Sequence, residues 1–336
     1  MLGADLDMAP LAIAELERRG YDAAFSAEIN NEPFFPLVLA AEHSERIALS
    51  TSISVAFARN PMTMANLAWD LNQYSKGRFT LGLGSQIKQH ITRRFSMPWS
   101  SPAARMREFI QAMRAIWRCW ETGEKLDFEG EFYRHNLMTP MFMPTKTRYG
   151  APGVSLAAVG PLMTEVAAEV ADGVIAHGFT TVKYLEEVTL PAVARGLEKA
   201  GRQRDELDIS SPVMVVTGLN AEAFAQNKLA VQSQIAFYAS TPAYRPVLEL
   251  HGWGDLQTEA NNLTREGRWE DMGGLITDDL LNTFAIVSED IKAVPSLLEQ
   301  RYGHLVDTWQ CTVETGDSEQ QAQLVKAVQG QQEEAG

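Results

Sequence analysis

RFTLGLGS, residues 78–85, is apolar on both faces apart from its glycines. A strand patterned this way belongs to a parallel sheet that is covered on both sides, and the glycines let another backbone come close. Upstream, after Asn60-Pro61, residues Met64, Leu67, Ala68, Leu71 and Tyr74 form a stripe at helical spacing. Before it lie a strand over Ile47–Val55, a helix over Pro33–Ser44 and a strand over Asp22–Ala27. The first helix carries Ala9, Ala12, Ile13 and Leu16 on one face and ends at Gly20. Downstream, Pro102 opens a long helix in which Met106, Phe109, Ile110, Met113, Ile116, Trp117 and Trp120 keep i, i+3, i+4 spacing.

The alternation continues to the end of the chain. Strands are expected over Val154–Val159, Gly173–His177, Leu207–Thr217 and Leu305–Val313. Helices are expected from Gly160-Pro161 to Ala171, then over Thr181–Ala200, Ala221–Tyr238, Ser288–Arg301 and Ser318–Val328. Segments 123–152 and 240–282 break the pattern and read as ordered insertions. Short strands joined by helical crossovers give an α/β chain, here a (β/α)8 TIM barrel forming a single domain over residues 1–336. Eight strands are reached only if Met1–Leu6 supplies the first. That strand is therefore short or truncated, either vestigial or continued by missing upstream residues.

The 336 residues hold 29 Lys and Arg against 43 Asp and Glu, a formal charge of −14, which repels nucleic acid and anionic lipid. The N-terminus has neither basic residues nor an apolar export segment, and no apolar run is long enough to span a bilayer, so a cytoplasmic protein is expected. Cys119 and Cys311 read as reduced, buried thiols. The histidines have no metal-ligand spacing, and no metal site is expected. LGLGSQ lacks the third glycine of a dinucleotide fingerprint, and GxSxG and P-loop motifs are absent.

In a barrel of this kind the chemistry gathers at the C-terminal ends of the strands. Glu28 there could be an acid or base with a raised pKa, could orient a substrate group, or could be a salt-bridge or helix-start carboxylate. His177 could bond a cofactor carbonyl, shuttle a proton or be a satisfied structural histidine. Gln86 and His90 follow GLGS and could read the edge of a heterocycle, with Ser85 beside them. Asn30 and Arg59 are candidate substrate ligands. Arg93 and Arg94 could hold an acidic group or pair with the protein's own surface. The run Val159, Gly160, Pro161, Leu162, Met163, Thr164 puts Gly-Pro at a strand-to-helix junction, either an anion cradle or a plain helix start.

Three segments, RRGYDAAFSAE (18–28), ARNPMTMANLAWDLNQYSKGRFTLGLGSQ (58–86) and VSLAAVGPLMTEVAAEVADGVIAHGF (154–179), resemble the bacterial luciferase-like flavin and deazaflavin barrel family. QHITRRFSMPWSSPAARMREFI (89–110) and AFYASTPAYRPVLELHGWGDL (236–256) resemble its branch of coenzyme F420-dependent oxidoreductases. The resemblance implies a tricyclic ring at the barrel mouth and a bulge with a non-prolyl cis peptide at Ser52-Ile53. It also implies a cofactor phosphate at the amides of Gly160 to Thr164. Several deazaflavin-dependent relatives carry a histidine after the second strand, where this chain has Ala27-Glu28.

The implied activity is hydride transfer between F420 and a small organic molecule, with Glu28 or His177 exchanging a proton. The alternatives are a monooxygenase using reduced FMN and oxygen, and a cofactor-binding barrel without turnover. A homodimer is expected, with the stripes at Met64–Tyr74 and Met106–Trp120 as surfaces for it.

Overall fold

Strands β1 (Ala23–Ser26), β2 (Ala48–Thr51), β3 (Ser54–Val55) and β4 (Phe79–Gly84) begin the chain's parallel sheet. β5 (Phe128–Glu129) and β6 (Arg134–His135) form a small antiparallel hairpin, and β7 (Gly153–Ala158) and β8 (Gly173–Ala176) resume the sheet. The computed structural model describes residues 1–3, 5–268, 271–310 and 318–335, the last segment by backbone alone at residues 318, 320 and 331–335. Two compact units emerge, one of residues 1–175 and 192–207, the other of 176–191 and 208–336.

In the first unit the strand order is β1, β2, β4, β7, β8, with β3 also paired to β4, and the pairs whose register is defined run parallel. Leu49, Phe79, Leu81, Leu83, Val154 and Leu156 fill the interior. The glycines of β4 have steric reasons. A Cβ on Gly82 would overlap the carbonyl oxygen of Thr51, and one on Gly84 would come within 2.8 Å of the Ile53 side chain.

Helices α1 (Ala9–Arg18), α2 (Phe34–Glu42), α3 (Pro61–Tyr74), α4 (Pro102–Thr122) and α5 (Pro161–Val170) follow the apolar periodicity closely. Asn60 caps α3 by accepting from the Thr63 N–H, and Gly123, at φ 78°, ends α4 in the left-handed region. α3 packs against α4. Trp69 meets Trp120 edge-on at 5.4 Å, and the Trp117 indole donates to Ala65 O at 3.1 Å. The α4 stripe is therefore core, which removes it as a surface for association; of α3's stripe Met64, Ala68 and Leu71 are buried, while half-buried Leu67 and half-exposed Tyr74 reach solvent.

The second unit holds β9 (Asp208–Pro212), β10 (Met214–Val216), β11 (Ala285–Val287) and β12 (Thr308–Gln310). The strand expected over Leu207–Thr217 is split. β9 pairs with β12, while β10 pairs with β11, both parallel. β11 is a strand the sequence pattern misses, because three residues carry no period. Phe179 and Phe284 stack at 4.5 Å in a core that includes Val216, Ile235 and Leu248.

Segment 240–282 is largely helical, over Arg245–Glu249, Gly254–Arg265 and the start of Asp278–Phe284. The helix expected over Thr181–Ala200 contains a π-turn at Leu185–Thr189. Met1–Leu6 shows no strand among the described residues, only a Leu2 N–H donating to Phe25 O at 2.8 Å. Cys119 is a free, buried thiol; Cys311 lies outside the described residues.

Candidate functional site

The turn that follows β2 is organised around a carboxylate. Ser52-Ile53 is a cis peptide, at the position the family resemblance implies. Ser52 N–H donates to Ser26 O, and Glu28 N–H donates to Ile53 O at 3.0 Å, so the end of β1 and the turn hold each other. Glu28, 9% exposed, accepts on Oε2 from Val55 N–H at 2.8 Å, from Ser54 Oγ at 3.3 Å and from Arg59 Nη1 at 2.7 Å. The other oxygen, Oε1, has no hydrogen bond among the described residues.

Glu28 is thus a salt-bridged carboxylate, paired with Arg59. Its charge is held by a guanidinium and an amide, which suits an acceptor and an orienting group. Arg59 also donates through Nη2 to Glu32 at 2.6 Å, and burial pushes the Glu32 carboxyl up in pKa against the pull of that same arginine. Arg59 is thus held between two carboxylates, Glu28 and Glu32.

At the end of β4, Gln86 adopts φ 58°, and its Oε1 accepts from Ile87 N–H at 2.9 Å. That bond leaves the amide NH2 as the presented group, a donor for a ring edge. Ser85 Oγ donates to Gln86 O at 3.2 Å. His90 and Asn30 are exposed, and the structure does not bring them to the Glu28 cluster by any hydrogen bond. Arg94 donates to Ile29 O at 2.6 Å and lies over Phe95, so its partners are the chain itself.

After β7, Gly160 is the N-cap of α5 with Pro161 at the first helical position. No side chain caps this end and no acidic residue occupies its first turn. Thr164 turns inward, its hydroxyl donating to Gly160 O at 3.1 Å. The Leu162 side chain is 72% exposed, and a Cβ on Gly160 would meet nothing within 4 Å. Pro161 has no N–H and the Thr164 N–H donates to Gly160 O at 3.1 Å, so the open space lies before the Leu162 and Met163 amides at a positive dipole end, which fits a phosphate.

In the second unit His177 is fixed on both ring nitrogens. Phe179 N–H donates to Nδ1 at 2.9 Å, and Nε2 lies 3.0 Å from the Tyr244 hydroxyl. Tyr244 also stacks on the imidazole at 4.4 Å, and Tyr238 meets it edge-on at 4.8 Å. Burial lowers the His177 pKa to about 4 and raises that of Tyr244 to about 12, with the neighbouring Tyr238 adding to the rise. Both groups are neutral at ordinary pH. Tyr244 is absent from the sequence-derived candidates because it stands in a segment without period; the density of aromatics in FYASTPAY, residues 237–244, is the signal that could have found it.

Among the described residues no group of three or more His, Cys, Asp or Glu could hold a metal, and no helix is long and apolar enough to cross a membrane.

Residues 4–307 match the family model for luciferase-like monooxygenases. An uncharacterized protein of Mycobacterium tuberculosis (strain ATCC 25618 / H37Rv) is 53% identical over 296 residues, covering 88% of this chain and 87% of that one. An F420-dependent glucose-6-phosphate dehydrogenase of Intrasporangium calvum is 31% identical over 208 residues, covering 57% and 60%. The solved coenzyme F420 dependent tetrahydromethanopterin reductase of Methanopyrus kandleri superposes with a TM-score of 0.78 at 23% identity, covering 97% of this chain and 95% of that one, and shows a shared fold. With the match extending over nearly the whole chain, the protein is an enzyme of the luciferase-like monooxygenase family.

Proposed function

We propose that the enzyme is an F420-dependent oxidoreductase that moves a hydride between the deazaflavin and a small organic substrate. The choice of cofactor is carried by the 31% identity to a glucose-6-phosphate dehydrogenase that uses F420. The residues present fit such a group: the uncapped Leu162 and Met163 amides and the open space at Gly160 suit its phosphate, and the amide NH2 of Gln86 suits a ring edge. Val159 to Thr164, Ser52, Ile53, Ser85 and Gln86 are the proposed cofactor residues. When bound, the deazaflavin supplies the hydride chemistry.

The remaining chemistry is one proton and the placement of the substrate. Glu28, anchored through Oε2, offers Oε1 as an acceptor, and Asn30, Arg59 and His90 are proposed substrate contacts. His177 with Tyr244 forms a neutral pair in which the phenol is the donor, because the imidazole already has both nitrogens engaged. The reading takes the chain as one (β/α)8 barrel domain over 1–336, with Leu2 beside β1 as the remnant of a short first strand.

It also takes the enzyme as a cytoplasmic homodimer. Support comes from the exposed Phe35, Val38 and Tyr74 and from a groove of about 330 Å³ lined by Phe34, Val38, Leu67, Asp70, Leu71 and Tyr74. A size measurement in solution tests this: a monomer removes it.

The cofactor is tested by fluorescence titration with F420 and with FMN, using wild type and Leu162→Glu. F420 is expected to bind, to change its absorbance on turnover, and to bind the variant at least tenfold more weakly, since a carboxylate beside the amides opposes a phosphate. The family's monooxygenases favour a second reading with FMN. Tight binding of reduced FMN, oxygen consumption and no affinity for F420 would establish that one instead.

A further inference from the structure

Arg105 is a buried cation without a counter-ion. It stands on the first turn of α4, one turn before Phe109 on the buried stripe, and is 7% exposed. Nε donates to the Tyr133 hydroxyl at 2.8 Å, and Nη1 reaches back to Pro98 O at 2.7 Å. The guanidinium carbon lies 4.5 Å from the Phe57 ring centroid and 5.6 Å from that of Tyr133. Nη2 makes no hydrogen bond, and no carboxylate pairs with the group, among the described residues.

Other arginines of the same unit show what satisfaction looks like here. Arg78 uses Nε, Nη1 and Nη2 in five bonds to Ser75 O, Ser44 Oγ, Ile47 O, Ala41 O and Ser44 O, a purely structural knot. Arg59, Arg107 and Arg114 each meet a carboxylate. Acidic side chains outnumber basic ones 43 to 29, so a buried guanidinium left without one is not explained by scarcity. A desolvated cation is stable only when its charge is answered, and two neutral oxygens and two ring faces answer it in part.

The surroundings favour an anion. α4 has no acidic residue in its first turn and no side-chain cap, so its positive end adds to the charge of Arg105. Its apolar neighbours are Phe57, fully buried, and Trp99, half-buried, which meets Phe57 edge-on at 5.9 Å. Phe57 lies in the turn Ala56–Ala58, between Val55, whose amide binds Glu28, and Arg59.

From this we infer that Arg105 anchors a subsite for a carboxylate borne on an apolar body, so that the small organic substrate is an acid. A planar carboxylate matches the guanidinium edge bounded by Nη1 and Nη2, and the aromatic neighbours receive the apolar part. That the acid is a substrate rests on the proposed function; that it binds does not.

The test is calorimetric titration of cofactor-free enzyme with benzoate, with benzyl alcohol as the uncharged counterpart, and with inorganic phosphate. Benzoate is expected to bind at least tenfold more tightly than either, and Arg105→Met is expected to lose at least tenfold of that affinity. Arg105→Lys keeps the charge but not the fork, and several-fold weaker binding is expected; it serves alone if the methionine variant does not fold. Absence of benzoate binding by the wild type, or equal binding by the variants, overturns the inference. So does phosphate binding as tightly as benzoate, which would mark a bare-anion site. The F420 and FMN titrations are independent, so failure of the cofactor reading leaves this result standing.

Discussion

The Tyr244 hydroxyl, 3.0 Å from His177 Nε2, is the acceptor of that hydrogen bond. Phe179 N–H already donates to Nδ1, so the neutral ring must carry its proton on Nε2. The phenol's own hydrogen is thereby left for another acceptor, and the histidine serves to aim it.

His177 should stay neutral until strongly acid pH. Its folded pKa is about 4, below the ordinary 6.5, so the unfolded chain binds the extra proton first and stability falls as pH drops from about 6.5 toward 4. The slope approaches about 1.4 kcal/mol per pH unit within that window. Denaturant melts from pH 4 to 8 should show it, and His177→Gln should flatten it. An unchanged slope in the variant would refute the assignment.

Tyr244→Phe removes the proposed donor while keeping the stacked ring. Turnover should fall about 100-fold, within the range for loss of a general acid, with cofactor affinity unchanged. A loss of cofactor affinity in place of turnover would instead make Tyr244 a binding residue.

Glu28→Gln leaves Val55 N–H a partner but strips Arg59 of one of its two carboxylate partners. Removing one member of a largely buried pair should cost about 2–4 kcal/mol. Glu28→Gln combined with Arg59→Met should cost less than the sum, with a coupling of about 1 kcal/mol or more in a double-mutant cycle. Additive losses would show that the two act separately.

Gly82→Ala should prevent folding or yield insoluble protein, since the added methyl overlaps Thr51 O, a backbone atom that cannot turn aside. Gly160→Ala should fold normally, having open space and φ −88°. Circular dichroism melts of the two variants separate them, and similar behaviour of both would contradict the packing described.

The parts of the fold legible in sequence are those with long periods. α3 and α4, with stripes of three turns or more, begin at the residues their Pro and cap signals indicate. β10 and β11, at three residues each, have no period to read, and Pro212, which lacks an N–H, gives only a faint hint that the expected strand is split there. At the candidate site, Glu28, Gln86 and His177 could be nominated from their places after strands. Their states could not, because Arg59, Ile87 and Tyr244 become partners only through folding. Arg105 had a signal that passed unused, a charge in register with Phe109, Met113 and Ile116 on an apolar face.

Gly84 and Ile53 interlock across the turn beside Glu28, with no room for a methyl on one unless the other yields. The two positions therefore form a single unit of variation. A library that randomises this loop one codon at a time will find mostly dead clones, whereas randomising both together opens combinations, such as alanine opposite valine, that no stepwise search would retain.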